Sequence, residues 1–462
     1  MSSSRRDFLM KTGMVSLGFL GLYRFVSEGR SRDLTPGFGP LVPKEGEILS
    51  LPKGFSAKVI SQKGSVMSDG LFTPGAHDGM GSFRWKDGKV MLIRNHELTP
   101  GSYGSGPFGK ANKLIDKVSK ADIYDVASGG DYMCVGGTTT TIYDERSGKV
   151  ELEYLSLTGT VRNCSGGITP WNSWITCEET DFKKGGDNGF LEKDHGYNFE
   201  VPATDKIGLT KPVPLKAMGR FVHESVAVHP ELGIVYQTED EGKGLLYRFV
   251  PNEPGKLYEG GKLQCLVINE WKGADTRNHG ENETEHFPER KLFDVSWVDL
   301  DDVEAPDGDL RLRGAKMGAA IFSSGEGMSY GKGELFFSAS SGGKAGMGQV
   351  FRYVPSKYEG QAMEKDSPGR IELFIESRGS DIFQACDNLT VAPWGDVVIC
   401  EDKEDPRIVG ITPSGETYVV AKNIGYCESE FTGPVFSPSG KTLFVNIQSP
   451  GMTLAITGPW KS

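Results

Sequence analysis

The sequence predicts an all-β fold: a six-bladed β-propeller closed by an N-terminal strand that completes the last blade. Three observations predict it. A strand–turn–strand cassette recurs six times, 62 glycines and 25 prolines punctuate many short apolar runs, and the strand count is one short at one end of the chain and one over at the other. The cassettes open at Asp78, Cys164, Glu224, Glu326, Asp387 and Glu430. They close at Glu97, Glu178-Glu179, Glu239-Asp240, Ser340, Glu401-Asp402 and Asn446 to Gln448. A hairpin returns the chain to its starting level, so openings and closings are expected at the same end of each sheet.

Third strands follow at residues 196–202, 244–251, 348–355 and 407–413, the second and third of these being near copies, with half-buried alternation. Fourth strands read at residues 150–157 and 416–421. The last cassette is followed by only one strand, residues 452–457, whereas residues 55–61 form a strand with no blade of their own. Joining these two closes the ring and removes the exposed edges. The expected organisation is an export signal at residues 1–30, a linker at 31–50 and one propeller domain at 51–462, with an excursion near 252–320. The acidic run at 299–309 lacks calcium-loop spacing and reads as a solvated turn.

A net charge of -11 argues against nonspecific binding to nucleic acid or to an anionic membrane. Seven cysteines form no C-x-x-C pair, so neither a zinc ribbon nor a thioredoxin-like site is signalled, and a small buried hydrophobe is the expected role for six of them. Ser4-Arg5-Arg6-Asp7-Phe8-Leu9 with the apolar stretch 14–22 matches a twin-arginine export signal, a route that moves folded proteins. The stretch is short for a membrane span, and no spanning segment follows. The implied partner is the twin-arginine export machinery and the implied location periplasmic or secreted.

Several motifs are set aside. Gly104-Ser-Gly-Pro-Phe-Gly109 has dinucleotide-site spacing but contains proline and lacks a flanking strand and helix. His223-Glu224 with His229 has the wrong interval for a helical zinc protease, and no G-x-S-x-G elbow occurs. What remains is a crown of Asp78, Glu97, Cys164, Glu178, Glu179, Glu224, Glu239, Asp240, Glu326, Asp387, Asp402 and Glu430. Crowded carboxylates take up protons or cations. Hard oxygens favour calcium or magnesium and the one thiolate favours a transition metal, so the set predicts a polynuclear site. The expected ligands are Glu97, Cys164, Glu224, Glu239, Glu326, Asp387, Asp402 and Glu430.

The segment 162–179, RNCSGGITPWNSWITCEE, resembles the PhoX family of bacterial alkaline phosphatases. The likeness extends through Asn95-His-Glu97, His223-Glu224, Asp387-Asn388 and the ending from Thr432 to Gln448. It implies a propeller that hydrolyses phosphate monoesters with an Fe3+/Ca2+ cluster. Within it Cys164 matches the iron-binding cysteine, Glu224 and Glu326 the glutamate iron ligands, and Glu97 a further metal ligand.

Two departures stand out: Ser323-Ser324-Gly325 precedes Glu326 where family members carry a phosphate-clamping arginine, and Ser449 stands where a histidine is usual. Arg162 or Arg94 is the expected substitute for the missing positive charge, unless the substrate itself differs. The competing readings are a calcium-dependent lactonase-type hydrolase and a non-catalytic, calcium-stabilised binding propeller. Iron content and a substrate screen separate them.

Overall fold

Alternating apolar residues and glycine-bearing turns fold the chain into successive antiparallel meanders. The computed structural model describes residues 37–43, 46–102, 104–128, 132–186, 189–279 and 286–461. The export segment expected at 1–30 lies outside these residues. Strands β1 (Leu41–Val42), β2 (Leu49–Pro52) and β3 (Ser56–Gln62) come first. A first meander follows: β4 (His77–Arg84), β5 (Val90–His96), β6 (Gly136–Asp144) and β7 (Lys149–Thr160). The second has β8 (Asn163–Ile168), β9 (Ser173–Glu178) and β10 (Asn198–Pro202). The third has β11 (His223–Val228), β12 (Val235–Glu239), β13 (Leu246–Pro251) and β14 (Gly261–Ile268). Strand β15 (Phe293–Asp299) and the short helix α1 (Leu310–Lys316) lead to the fourth. This one comprises β16 (Gly325–Gly331), β17 (Glu334–Ala339), β18 (Gln349–Val354) and β19 (Arg370–Glu376). The fifth is β20 (Cys386–Val391), β21 (Val397–Glu401), β22 (Arg407–Ile411) and β23 (Thr417–Asn423). The sixth is β24 (Phe431–Phe436), β25 (Thr442–Ile447) and β26 (Met452–Thr457).

Strand β3 pairs antiparallel with β26, Gln62 opposite Met452 and Ser56 opposite Thr457, so the N-terminal strand completes the last sheet. Each innermost strand lies against the next: β4 by β8, then β11, β16, β20 and β24, which returns to β4. The arrangement is all-β and propeller-like.

The sheets are not six separate four-stranded units, however. Among the described residues there are five, of six, three, nine, four and four strands. The cause is strand β15, which pairs with both β14 and β19 and fuses the third and fourth meanders. The second meander has three strands, and a single bridge between Phe199 and Pro214 stands beyond β10. The region 252–320 is correspondingly less of an excursion than its length suggests, since β14 is the outer strand of the third meander and β15 the splice.

The expected linker is also partly structured. Strand β2 pairs with β23 and carries β1, and the Phe38 ring packs 5.0 Å from Phe55 and 5.3 Å from Trp460. Between the sheets Phe249, Phe337 and Phe351 are fully buried, each such burial being worth ~1.5–3 kcal/mol. Among the described residues no helix is long and apolar enough to cross a membrane.

Candidate metal centre

Every innermost strand breaks register at the same place. The breaks fall between His77 and Met80, Asn163 and Gly166, His223 and Val226, Gly325 and Met328, Cys386 and Leu389, and Thr432 and Val435. A bulge re-aims the side chain it carries, and the first residue inside each break is Asp78, Cys164, Glu224, Glu326, Asp387 or Gly433. Five of the six are candidate ligands. At the sixth the chain turns left-handed (φ 57°), and a Cβ would stand 2.6 Å from the Asp78 carbonyl oxygen, so glycine is required there. Glu430 enters instead from the approach to β24, beside Gln448.

The residues just past each second strand complete the ring: Glu97, Glu179, Asp240, Ser340, Asp402 and Gln448. Apart from Gly433, the two sets together with Glu430 and Arg162 line a cavity of about 350 Å³, in which the described residues place nine carboxylates, the Cys164 thiol and one guanidinium, that of Arg162. Asp78, Cys164 and Glu224 are buried, and Asp402 is exposed. Ligand atoms of Cys164, Glu179 and Glu224 lie within 4.8 Å of one another, as do those of Glu224, Glu326 and Asp387, so Glu224 is common to both groups.

Outer contacts fix these side chains. Gln448 Nε2 donates to Glu97 Oε2 (2.9 Å) and Asp78 Oδ2 (3.2 Å), and Ser340 Oγ donates to Glu326 Oε1 (2.7 Å). Asn95 Nδ2 donates to the Cys164 and Ser165 carbonyls, while Trp174 Nε1 donates to Asn95 Oδ1 and fixes the amide. On the far side of the same bulges a second cavity is lined by Met80, Trp174, Val226, Met328 and Leu389, so the ring is polar on one side and largely apolar on the other.

Two expected site residues lie elsewhere. Glu239 does not face the cavity: its Oε2 accepts from Leu245 N (3.1 Å) and Tyr247 Oη (2.9 Å), and its neighbour Asp240 lines the cavity instead. Successive residues of a strand point to opposite faces. The same division recurs at Glu178-Glu179 and Glu401-Asp402, where the first acid ties down connecting backbone. Arg94 is also outside the cavity, held within the sheet stack by Glu153 (3.0 Å), Thr139 and Thr453. Glu97, Cys164, Glu224, Glu326, Asp387, Asp402, Glu430 and Arg162 do come together. Asp78, Glu179 and Asp240 belong with them, although the expected ligand set passed over them. The signal for them was the opening or closing position each occupies in its cassette.

Electrostatics follow from this crowding. Burial, then the neighbouring Glu97, pushes Glu179 up to about 8. Burial and the adjacent Asp402 push Asp387 up to about 8. Burial also holds Asp78, Glu224, Glu326 and Glu430 well above the usual carboxylate range, with nearby acids adding to it. Burial and the Glu224 carboxylate raise the Cys164 thiol. A protein fold stabilises so many acids around one arginine only by protonating them or by holding cations. Nine carboxylates with one sulfur fit a site for hard cations plus a transition metal at the sulfur.

The fold and the site together define a propeller-like protein with an acidic cavity lined by side chains of metal-ligating type. The sequence matches the family described as Alkaline phosphatase PhoX over residues 36–451. The chain belongs to the PhoX alkaline phosphatase family, and with it to the hydrolases of phosphoric esters.

Among solved structures it is similar to Pseudomonas fluorescens PhoX in complex with vanadate, a transition state analogue. That match has 17% identity and a TM-score of 0.63, covering 89% of this chain and 96% of that one. A gluconolactonase from Xanthomonas campestris matches at 11% identity and a TM-score of 0.40, covering 93% and 100%. No curated protein matches the sequence significantly.

Proposed function

We propose that this protein hydrolyses phosphate monoesters with iron and calcium held in the cavity, and that it acts in the periplasm or outside the cell after twin-arginine export. The observation that carries this reading is Cys164, a lone thiol on a bulge, within 4.8 Å of Glu179 and Glu224 in a ring otherwise made of oxygens. The vanadate complex of the Pseudomonas fluorescens relative supports phosphoryl chemistry at such a site. Counted by innermost strands, the architecture is six blades, with β15 splicing two of them.

Cys164, Glu179 and Glu224 would hold one ion, Glu224, Glu326 and Asp387 a second, with Asp78, Glu97, Asp402 and Glu430 available to further calcium. Bound metal supplies Lewis acidity toward phosphoryl oxygens and neutralises the clustered acids. The chain itself supplies Arg162. This residue is left-handed (φ 49°) and sits in the turn between β7 and β8, its amide donating to the Leu98 carbonyl and its carbonyl accepting from Glu179 N. Its Nε is buried without a protein partner, a donor that a phosphoryl oxygen would satisfy. Gln448, Ser340 and Asn95 keep the ligands oriented while substrate binds.

The test is element analysis of natively exported protein together with turnover of p-nitrophenyl phosphate. The expected result is iron and calcium in active protein. Calcium without iron, together with full activity in Cys164→Ala, would rule the reading out.

A further inference from the structure

Behind the wall of the cavity lies a second cluster of ligand-type side chains that the phosphatase chemistry does not use. Asp125 and Cys134 come from the long connection between β5 and β6, and His195 from the connection between β9 and β10. All three are buried, with exposures of 1%, 0% and 0%. Their ligand atoms lie within 4.8 Å of one another.

The two ring nitrogens of His195 are placed differently. Nδ1 lies 2.6 Å from Glu178 Oε1, the distance of a strong hydrogen bond to a carboxylate, which assigns a proton to Nδ1. Nε2 lies 3.3 Å from Asp125 Oδ2. That is long for a charge-assisted hydrogen bond. It matches the separation of two ligands on one tetrahedral zinc, about 3.3–3.5 Å for metal bonds of ~2.0–2.1 Å. Glu178 thus stands where an outer-shell carboxylate orients a metal-binding histidine. The Asp125 carboxylate is fixed in turn by the amides of Ala127 (2.6 Å), Glu192 (2.9 Å) and Lys193 (2.9 Å).

We infer that Asp125, Cys134 and His195 bind a zinc-class divalent transition metal, distinct from any ion in the acidic cavity, which staples the β5–β6 and β9–β10 connections together. A thiolate, an imidazole and a carboxylate form a donor set that zinc accepts and calcium does not. Loading such a buried site accompanies folding, and the near-complete burial of its three ligands leaves the ion little path to solvent. The site is independent of how the cavity works.

The experiment is element analysis of the folded, full-length enzyme after exhaustive dialysis against metal-free, chelator-free buffer, for wild type, Cys134→Ser, His195→Gln and Cys164→Ala. About one zinc-class ion per chain is expected in wild type and in Cys164→Ala, and its loss in the other two. Cobalt-loaded protein should show a thiolate charge-transfer band that survives Cys164→Ala and disappears in Cys134→Ser. If Cys134→Ser does not fold, X-ray absorption at the zinc edge of wild-type protein decides, with one sulfur in the first shell expected. Wild type without such an ion, an ion retained by Cys134→Ser, one lost in Cys164→Ala, or a zinc shell without sulfur would each overturn the inference.

Discussion

Arg162 Nη2 lies 2.5 Å from Glu179 Oε2, and the same nitrogen reaches Glu97 Oε1 at 3.2 Å. Among the described residues Arg162 is the one cation lining the cavity, and it is therefore tied to acids from two different meanders. Against burial, which works to lower it, the Glu179 hydrogen bond and the charges of Glu179 and Glu97 raise the Arg162 pKa, so the guanidinium stays charged.

Replacing Arg162 should therefore affect catalysis more than folding. Arg162→Ala is expected to lower kcat/KM for p-nitrophenyl phosphate by ~10²–10³-fold, the range for removing one preorganised donor. Arg162→Lys keeps the charge but loses the fork, and should recover only part of it. Steady-state kinetics with metal content measured alongside checks this; unchanged kinetics would assign Arg162 a structural role.

Arg94 is predicted to behave in the opposite way. It is buried beside Glu153, and its hydrogen bonds go to Glu153, Thr139 and Thr453, none of which lines the cavity. Arg94→Met leaves a buried carboxylate unpaired, which costs about 3–5 kcal/mol. Denaturant unfolding should show that loss, while kcat/KM of the folded fraction stays near wild type.

Gln448 bridges Asp78 and Glu97 without offering a strong metal donor of its own. Gln448→Ala should weaken metal retention or activity by ~10–100-fold, as the loss of other outer-shell partners does. Calcium titration of stripped protein, read by activity and by isothermal calorimetry, measures it.

The metal-stripped protein should lose stability as pH rises. Glu179 and Asp387, both raised to about 8, bind protons in the folded state that the unfolded chain has released above its ordinary carboxylate range of about 4. The folded state then holds more protons, so stability falls through that window and is fully present only below it. Melting temperatures of stripped protein should decline from about pH 4 to about pH 8, and added calcium should restore more at the upper end. A flat or rising profile in stripped protein would contradict the crowded-acid picture.

Much of this was legible in the cassette. Its openings named Asp78, Cys164, Glu224, Glu326 and Asp387, because strand, turn and return fix where hairpin ends lie. The unmatched strand at residues 55–61 named its partner at 452–457 by the same count. Sequence could not tell Glu239 from Asp240. Neighbours on a strand differ only in which face they take, and that depends on register. Nor could it separate Arg94 from Arg162, since an arginine's role depends on whether a buried carboxylate such as Glu153 has claimed it.

The chain by itself determined the all-β repeat, the closure by its N-terminal strand and the lone sulfur among acids, because these follow from period, turn chemistry and residue type. Tertiary structure alone decided the rest. Six register breaks at one level of the ring turn five side chains into one cavity and leave Gly433 to make room. Strand β15 merges two meanders through hydrogen bonds to a strand far along the chain. Asp125, Cys134 and His195 meet only because two long connections pack behind β9. A bulge, a splice and a meeting of loops are all set by long-range packing, and no local pattern encodes them.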